Sequence, residues 1–199
     1  MMTPGPMKPI RWLALLIAAL SLGCATSDYA RGVPAEPALV LERFFDGITT
    51  AVGTVESRSG AVIRRFRARA EGSWSEEEQA LTVRETWYWD DGEVEPRLWR
   101  WEKRGGGLWQ GFEDDLVGDA MGRARGSQVR WSYSMAVDTN AYGQLTIAAD
   151  DVMHLIDADN IINLVDMYYW GFYVGKVVLH IQRGEARSIE PFGPAPATL

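Results

Sequence analysis

From residue 48 to residue 181 the apolar side chains recur mostly at every second position, in short runs broken by turn sequences. A period of two sends alternate side chains to opposite faces of a strand, so the pattern predicts strands rather than helices. The runs fall at 48–56, 61–71, 81–89, 93–103, 108–113, 119–125, 128–137, 144–155, 161–168 and 173–181. Between them lie Arg58-Ser-Gly60, Asp90-Asp-Gly92, Gly105-Gly-Gly107, Asp138-Thr-Asn-Ala-Tyr-Gly143 and Asp157-Ala-Asp-Asn160, all turn-forming. Ahead of the first run, Leu39, Leu41, Phe44 and Phe45 can form one short helix that plugs an end of the structure. Antiparallel strands joined by short links must hide their edges, and closure does this most simply. The expected fold is all-β: an antiparallel barrel of about 8–10 strands with a short N-terminal helical plug.

The third hairpin can be registered residue by residue. A two-residue loop at Asp91-Gly92 would pair Trp87 with Pro96 and Glu85 with Leu98. A three-residue loop, Asp90-Asp91-Gly92, places glycine where a left-handed residue is needed. It pairs Trp89 with Glu93, Trp87 with Glu95, Glu85 with Arg97, Val83 with Trp99 and Leu81 with Trp101. That register gathers the four tryptophans on one face and sets opposite charges across from each other, worth roughly 0.2–1 kcal/mol. It is the preferred one. A transmembrane barrel would need a continuous apolar outer band. The adjacent Arg64 and Arg65, and Arg100 and Glu102 opposite the tryptophan face, argue for a water-facing barrel instead.

The first 23 residues follow a different pattern. Lys8 and Arg11 precede the apolar run Trp12-Leu-Ala-Leu-Leu-Ile-Ala-Ala-Leu20, and Ser21-Leu-Gly-Cys24 closes it. This is the layout of a signal peptide, too short to span a bilayer stably. Cys24 is the single cysteine, which excludes an internal disulfide and places a thiol where bacterial lipoproteins are acylated. Leu20 stands four residues before it, where the lipoprotein pattern prefers three, and cleavage near Ala25 by ordinary signal peptidase is the alternative. Ala25 after the cysteine favours the outer membrane, with the domain facing the periplasm. The expected organisation is leader 1–23, tether 24–38, barrel 39–184 and disordered tail 185–199.

Charge narrows the partners. The leader removes two of 20 Lys+Arg and none of 27 Asp+Glu, so the remainder carries a formal −9. Such a surface repels phosphate backbones, which argues against nucleic acid, and membrane attachment must come from the anchor.

Catalytic signals are sparse. His154 shares a strand face with Asp150, which would allow a general base, but a polar strand residue explains it equally. His180 has no motif, and no serine sits in a nucleophile elbow. Asp157-Ala-Asp-Asn160 and Glu113-Asp114-Asp115 lack the glycine and terminal glutamate of a calcium loop and read as turns. No metal or other cofactor is implied.

Aromatic residues are the unusual component. Eight tryptophans remain after the leader, and alternation adds Trp131, Tyr133 and Met135 to one strand face. They form either an ordinary aromatic core or the wall of a cavity with few polar groups, as in small-molecule sites. The candidate ligand-binding residues are Glu85, Trp87, Trp89, Arg97, Trp99, Trp101, Trp131 and Tyr133. Arg97 could receive a carboxylate or phosphate bidentately, or merely neutralise Glu85.

A succession of short motifs runs through the same segment: Phe44-Phe-Asp-Gly47, Gly60, Arg64-Arg-Phe66, Gly72-Ser-Trp74, Glu85, Asp90-Asp-Gly-Glu93, Arg97 and Trp99. It continues through Asp115-Leu-Val-Gly118, Ala120, Gly122, Leu155-Ile-Asp157, Asn163, Met167, Gly171 and Val174-Gly175. Their order resembles domain-of-unknown-function family 3833, small bacterial lipoproteins. The resemblance implies lipidation and a lipocalin-like barrel, and implies no known activity. The chain departs from the family at Asn163-Leu164 and Tyr169-Trp170-Gly171, where the family carries basic residues.

The leading expectation is a membrane-anchored, lipocalin-like binding module for an apolar or amphipathic small molecule, a fatty acid or lipid. An envelope scaffold with a solid barrel and an unidentified protein partner is the second. An enzyme using His154 with Asp150 or Glu85 comes last, and the chain is read as a non-enzyme.

Overall fold

The computed structural model describes residues 32–139 and 143–185. The leader, Cys24, the first part of the tether and the tail beyond Glu185 lie outside the described residues. The fold below belongs to the unit that begins at Pro34.

One helical turn, α1 (Leu41–Phe44), precedes ten strands. They are β1 (Gly47–Ser57), β2 (Val62–Ser75), β3 (Ala80–Trp89), β4 (Val94–Gly105) and β5 (Leu108–Phe112), then β6 (Ala120–Arg125), β7 (Gln128–Thr139), β8 (Gly143–Leu155), β9 (Asn160–Tyr169) and β10 (Phe172–Arg183). Each strand pairs antiparallel with its sequence neighbour, and β1 pairs with β10, so the sheet closes as an up-and-down barrel. Every expected run became a strand. The largest difference is at β2, which continues through Gly72-Ser-Trp74 to pair Ser75 with Ala80. Pairing with β3 outweighs the weak strand preference of glycine and serine there.

The third hairpin takes the three-residue loop. Leu81 faces Trp101, Val83 faces Trp99, Glu85 faces Arg97 and Trp87 faces Glu95. Gly92 closes it at φ +92°, its N–H donating to the Trp89 carbonyl at 3.1 Å.

Ten strands enclose more space than strand side chains alone fill. At one end the plug occupies that space. Leu39, Leu41, Phe44 and Phe45 are each at most 4% exposed; burying such a side chain contributes roughly 1.5–3 kcal/mol. Phe45 meets Trp101 edge-on at 5.2 Å, and an ion pair from Glu42 to Lys103 ties α1 to β4. The chain enters β1 across Gly72, where a β-carbon would lie 1.7 Å from the Phe45 carbonyl oxygen. The preceding segment is pinned to the β6–β7 turn: Ser127 N–H donates to the Pro34 carbonyl at 3.0 Å and Leu39 N–H to that of Gly126 at 2.8 Å.

The inner face is layered. Next to the plug, Leu81, Val83, Val129 and Ile161 are fully buried, beside Trp101, Trp109, Trp131 and Met153. Small inner residues on β5 and β6 make room for this layer: the Trp131 ring lies over Gly122 and Gly111. Moving along the same strands toward the other end, Glu85, Trp87, Tyr133 and Met135 are only partly buried although they point inward. Outside, Arg65 pairs with Asp90 at 3.0 Å, and Arg100 with Glu78 and Glu102 at 3.0 and 3.1 Å.

Candidate functional site

The candidate residues divide between the two layers. Trp101 and Trp131 meet at 5.4 Å, their rings tilted by 40°, in the packed floor beneath Phe45. Trp89 and Trp99 are also buried, Trp89 against Phe66 at 5.4 Å and Trp99 against Tyr133 at 5.9 Å. Glu85, Trp87, Arg97 and Tyr133 line the partly exposed space above. Trp87 is held there by Phe66 at 4.4 Å and by Trp89 at 5.8 Å. Gly53 admits Phe66, whose ring would meet a β-carbon at 2.5 Å. The tryptophans are therefore mostly core, and one, Trp87, is a chamber wall.

The polar groups of the chamber form a network. The Trp87 indole N–H donates to Glu85 at 2.8 Å and that of Trp89 to Glu95 at 3.0 Å. Although Arg97 faces Glu85 across the hairpin, its guanidinium closes on Glu95, two residues back on its own strand. Nε and Nη2 each lie 2.7 Å from the same Glu95 oxygen, and the guanidinium stands 5.0 Å from the Trp87 ring. That engagement directs Nε and Nη2 to Glu95, and not across the hairpin to Glu85. The short reach along one face of β4 favours the i, i+2 pair over the cross-strand one.

On the far wall, Asp151 is buried and accepts from Asn163 Nδ2 at 2.5 Å and from the Tyr133 hydroxyl at 3.4 Å. Burial, with the Glu85 charge adding to it, raises the Asp151 carboxyl to about 7, against the opposing hydrogen bonds from Asn163 and Tyr133. Burial also raises Glu85, opposed by the Trp87 hydrogen bond and Arg97 and reinforced by Glu113 and Glu95. Tyr133 is pushed well above its usual range by burial and by Asp151. The chamber thus holds more carboxyl groups than the one guanidinium can balance, and some of them are held toward the neutral form.

Asp151 and Asn163 are not among the candidate ligand-binding residues, although Asn163 is one of the motif residues quoted above. The signal was there: alternation puts Asp151 in step with Met153, and Asn163 in step with Ile161 and Val165, on the inner face. The His154–Asp150 pair does not assemble. His154 faces outward with Nδ1 2.8 Å from the Gln128 amide, while Asp150 accepts from Ser132 at 3.5 Å. Asp157 closes its own turn, accepting from Asp159 N–H and Asn160 Nδ2 at 2.9 and 2.7 Å.

A second concavity lies outside the barrel. An open groove of about 480 Å³ is lined by Ser132, Ser134, Ala148 and Asp150 between Tyr168 and Val117, and it also touches Tyr133 and Ala149 of the inner face. It is shallow, and the chamber carries the denser polar network, so the chamber is the candidate site.

A family model described as "Protein of unknown function (DUF3833)" matches residues 18–183, most of the chain. The chain belongs to the DUF3833 family. No curated protein matches it. Among solved structures, this DUF3833 protein is similar to a DUF3598-family protein of unknown function from Nostoc punctiforme, at TM-score 0.54 and 12% identity. That alignment covers 77% of this chain and 53% of the other, so the chain spans about half the length of that relative. It is similar also to an S-type phycobiliprotein lyase from Guillardia theta, at TM-score 0.53 and 12% identity, over 75% of this chain and 95% of that one. At such identity the likeness lies in the fold, a lipocalin-like barrel.

Proposed function

We propose that this DUF3833 protein is a non-catalytic binding module for an apolar or amphipathic small molecule, tethered to the bacterial outer membrane by a lipid on Cys24. The observation that carries the reading is the layered interior: a plugged aromatic floor beneath inward-facing Trp87, Tyr133 and Glu85 that stay partly open to solvent. Sparse polar anchors in an apolar wall suit a ligand with one polar end. The protonated Asp151 and the Tyr133 hydroxyl can donate to that end, and Glu85 can accept from it. A fatty-acid anion would meet uncompensated carboxylates here, whereas a lipid with a neutral or cationic headgroup would not. The phycobiliprotein lyase supports the reading only in a general way, as a protein with a similar barrel.

The test is native mass spectrometry of the exported chain carrying Cys24→Ser, followed by solvent extraction of anything bound. A stoichiometric amphipathic ligand that disappears in Trp87→Ala supports the module and identifies its cargo. A clean apo mass, with no change in tryptophan fluorescence on adding phospholipids, overturns it. The second reading, a scaffold acting through its surface, is favoured by one observation, the exposed aromatic turn between β9 and β10.

A further inference from the structure

We propose that the barrel end opposite α1 docks on a zwitterionic lipid surface, with Trp170 and Phe172 as the side chains that enter it. The two residues are 84% and 76% exposed at the β9–β10 turn. Tryptophan, an apolar ring with a polar edge, settles at the boundary between headgroups and acyl chains, and the wholly apolar Phe172 beside it is relieved of water on the acyl side.

Backbone conformation supplies a second argument. Trp170 has φ +51° and Gly171 φ +80°, consecutive left-handed residues joining two paired strands. A two-residue hairpin turn of that kind normally holds Asn-Gly or Asp-Gly, because most side chains are strained at positive φ. The Trp170 ring gains little inside the fold to offset that strain; its ring contact is with the neighbouring Tyr169, at 6.0 Å. A turn that is suboptimal for folding, and that projects its side chain into water, suits contact with something outside the chain.

The rest of that end fits the same occupant. The antiparallel meander places the β1–β2, β3–β4 and β9–β10 turns together, and Val62, Ile63, Val94 and Val174 beside them are exposed as well. Arg64 there is taken up by Asp91 and Glu93, both at 2.7 Å, and Lys176 by Glu56 at 3.5 Å. Asp114 and Asp115 on the β5–β6 loop leave the end acidic, which selects a zwitterionic leaflet over an anionic one.

Reach permits it. Pro34 is pinned at the α1 end, and any ten-residue stretch, such as the one from Cys24 to it, can span at most about 33–36 Å. Strands of this length, tilted as barrel strands are, give a barrel about 30 Å tall. A chain acylated at Cys24 can therefore lay its far end on the bilayer that holds its lipid. The reach argument rests on the anchor in the proposed function; the exposed turn does not. Docked this way, the open end of the chamber faces the membrane, the source and destination of an amphipathic cargo.

The test uses the full mature chain carrying Cys24→Ser, which has no lipid of its own, cosedimented with phosphatidylcholine–phosphatidylethanolamine vesicles. The expected result is measurable partitioning that falls at least about tenfold in Trp170→Ser/Phe172→Ser. Replacing part of the lipid with phosphatidylglycerol should weaken it. Trp170→Asn should bind less well while melting at the same or a higher temperature, which separates lost contact from lost folding. Trp87→Ala should keep vesicle binding while losing cargo, so failure of the chamber and failure of the docking end are distinguishable. Absence of partitioning by the parent chain, or equal partitioning by the double variant, overturns the proposal. So does self-association abolished by the same double variant without lipid, which would assign the surface to a second copy of the chain.

Discussion

Asp151 on β8 accepts a hydrogen bond from Asn163 on the neighbouring β9 at 2.5 Å, inside the barrel, where both residues are buried. The pair joins the chamber to the wall on which the sheet meets the aromatic floor. Burial, acting against that hydrogen bond, brings the Asp151 carboxyl to titrate near neutral pH.

The folded carboxyl at about 7 lies above its unfolded value near 3.9. The native state therefore keeps a proton that the unfolded chain releases. Stability from this group is full below about pH 4, declines as pH rises through about 7, and stays lost above it. Asp151→Asn should flatten the thermal melting temperature between pH 4 and pH 8 and raise it at pH 8 relative to the parent. Identical pH slopes in parent and variant would remove Asp151 as the cause.

Trp101 and Trp87 should respond differently to truncation. Trp101→Ala removes part of the floor beneath Phe45 and should cost about 3–5 kcal/mol, seen as an early denaturation midpoint. Trp87→Ala opens a chamber already in contact with solvent; it should cost less and abolish retention of the extracted ligand. Equal losses of stability in the two variants would mean that the upper layer is core as well.

Gly72→Ala should be more damaging than Gly122→Ala. At Gly72 the obstacle is the Phe45 backbone carbonyl at 1.7 Å, which moves only with the plug, whereas at Gly122 it is the Trp131 ring at 2.8 Å. Gly122→Ala is expected to cost about 1–3 kcal/mol, as overpacked cores do. Gly72→Ala should also displace α1, read as lost near-ultraviolet circular dichroism and increased binding of an apolar dye.

Arg97 should prove to be coupled more strongly to Glu95 than to Glu85. Arg97→Met leaves Glu95 without its cation and should lower stability by about 1–3 kcal/mol. Adding Glu95→Gln, which still accepts from Trp89, should restore most of the loss. Rescue by Glu85→Gln in place of Glu95→Gln would reverse the assignment.

Much of the fold was legible because it rests on local rules. Alternation placed each strand, and the left-handed need at Gly92 selected the three-residue loop, which determined the partner of every residue in that hairpin. Once the register was known, the inward direction of Trp87, Trp99 and Trp131 followed from parity. The site was less legible. Parity states that a side chain faces the lumen, but not how far along the barrel axis it lies or what stands across from it. The expected tryptophan-lined cavity therefore merged two layers that the structure separates, and Asp151 went unremarked between apolar neighbours.

The sequence by itself determined the strands, their order, the faces of each strand and the chemistry of the turns, since all of these depend on residues close together in the chain. Tertiary structure alone decided where the barrel is filled. The plug descends over Gly72 and buries Trp101 and Trp131, leaving Trp87 and Glu85 only partly buried. It also decided that Asp151 meets Asn163 and Tyr133. That outcome depends on distances across a closed sheet and on the dielectric that closure creates, and no local pattern of residues encodes either.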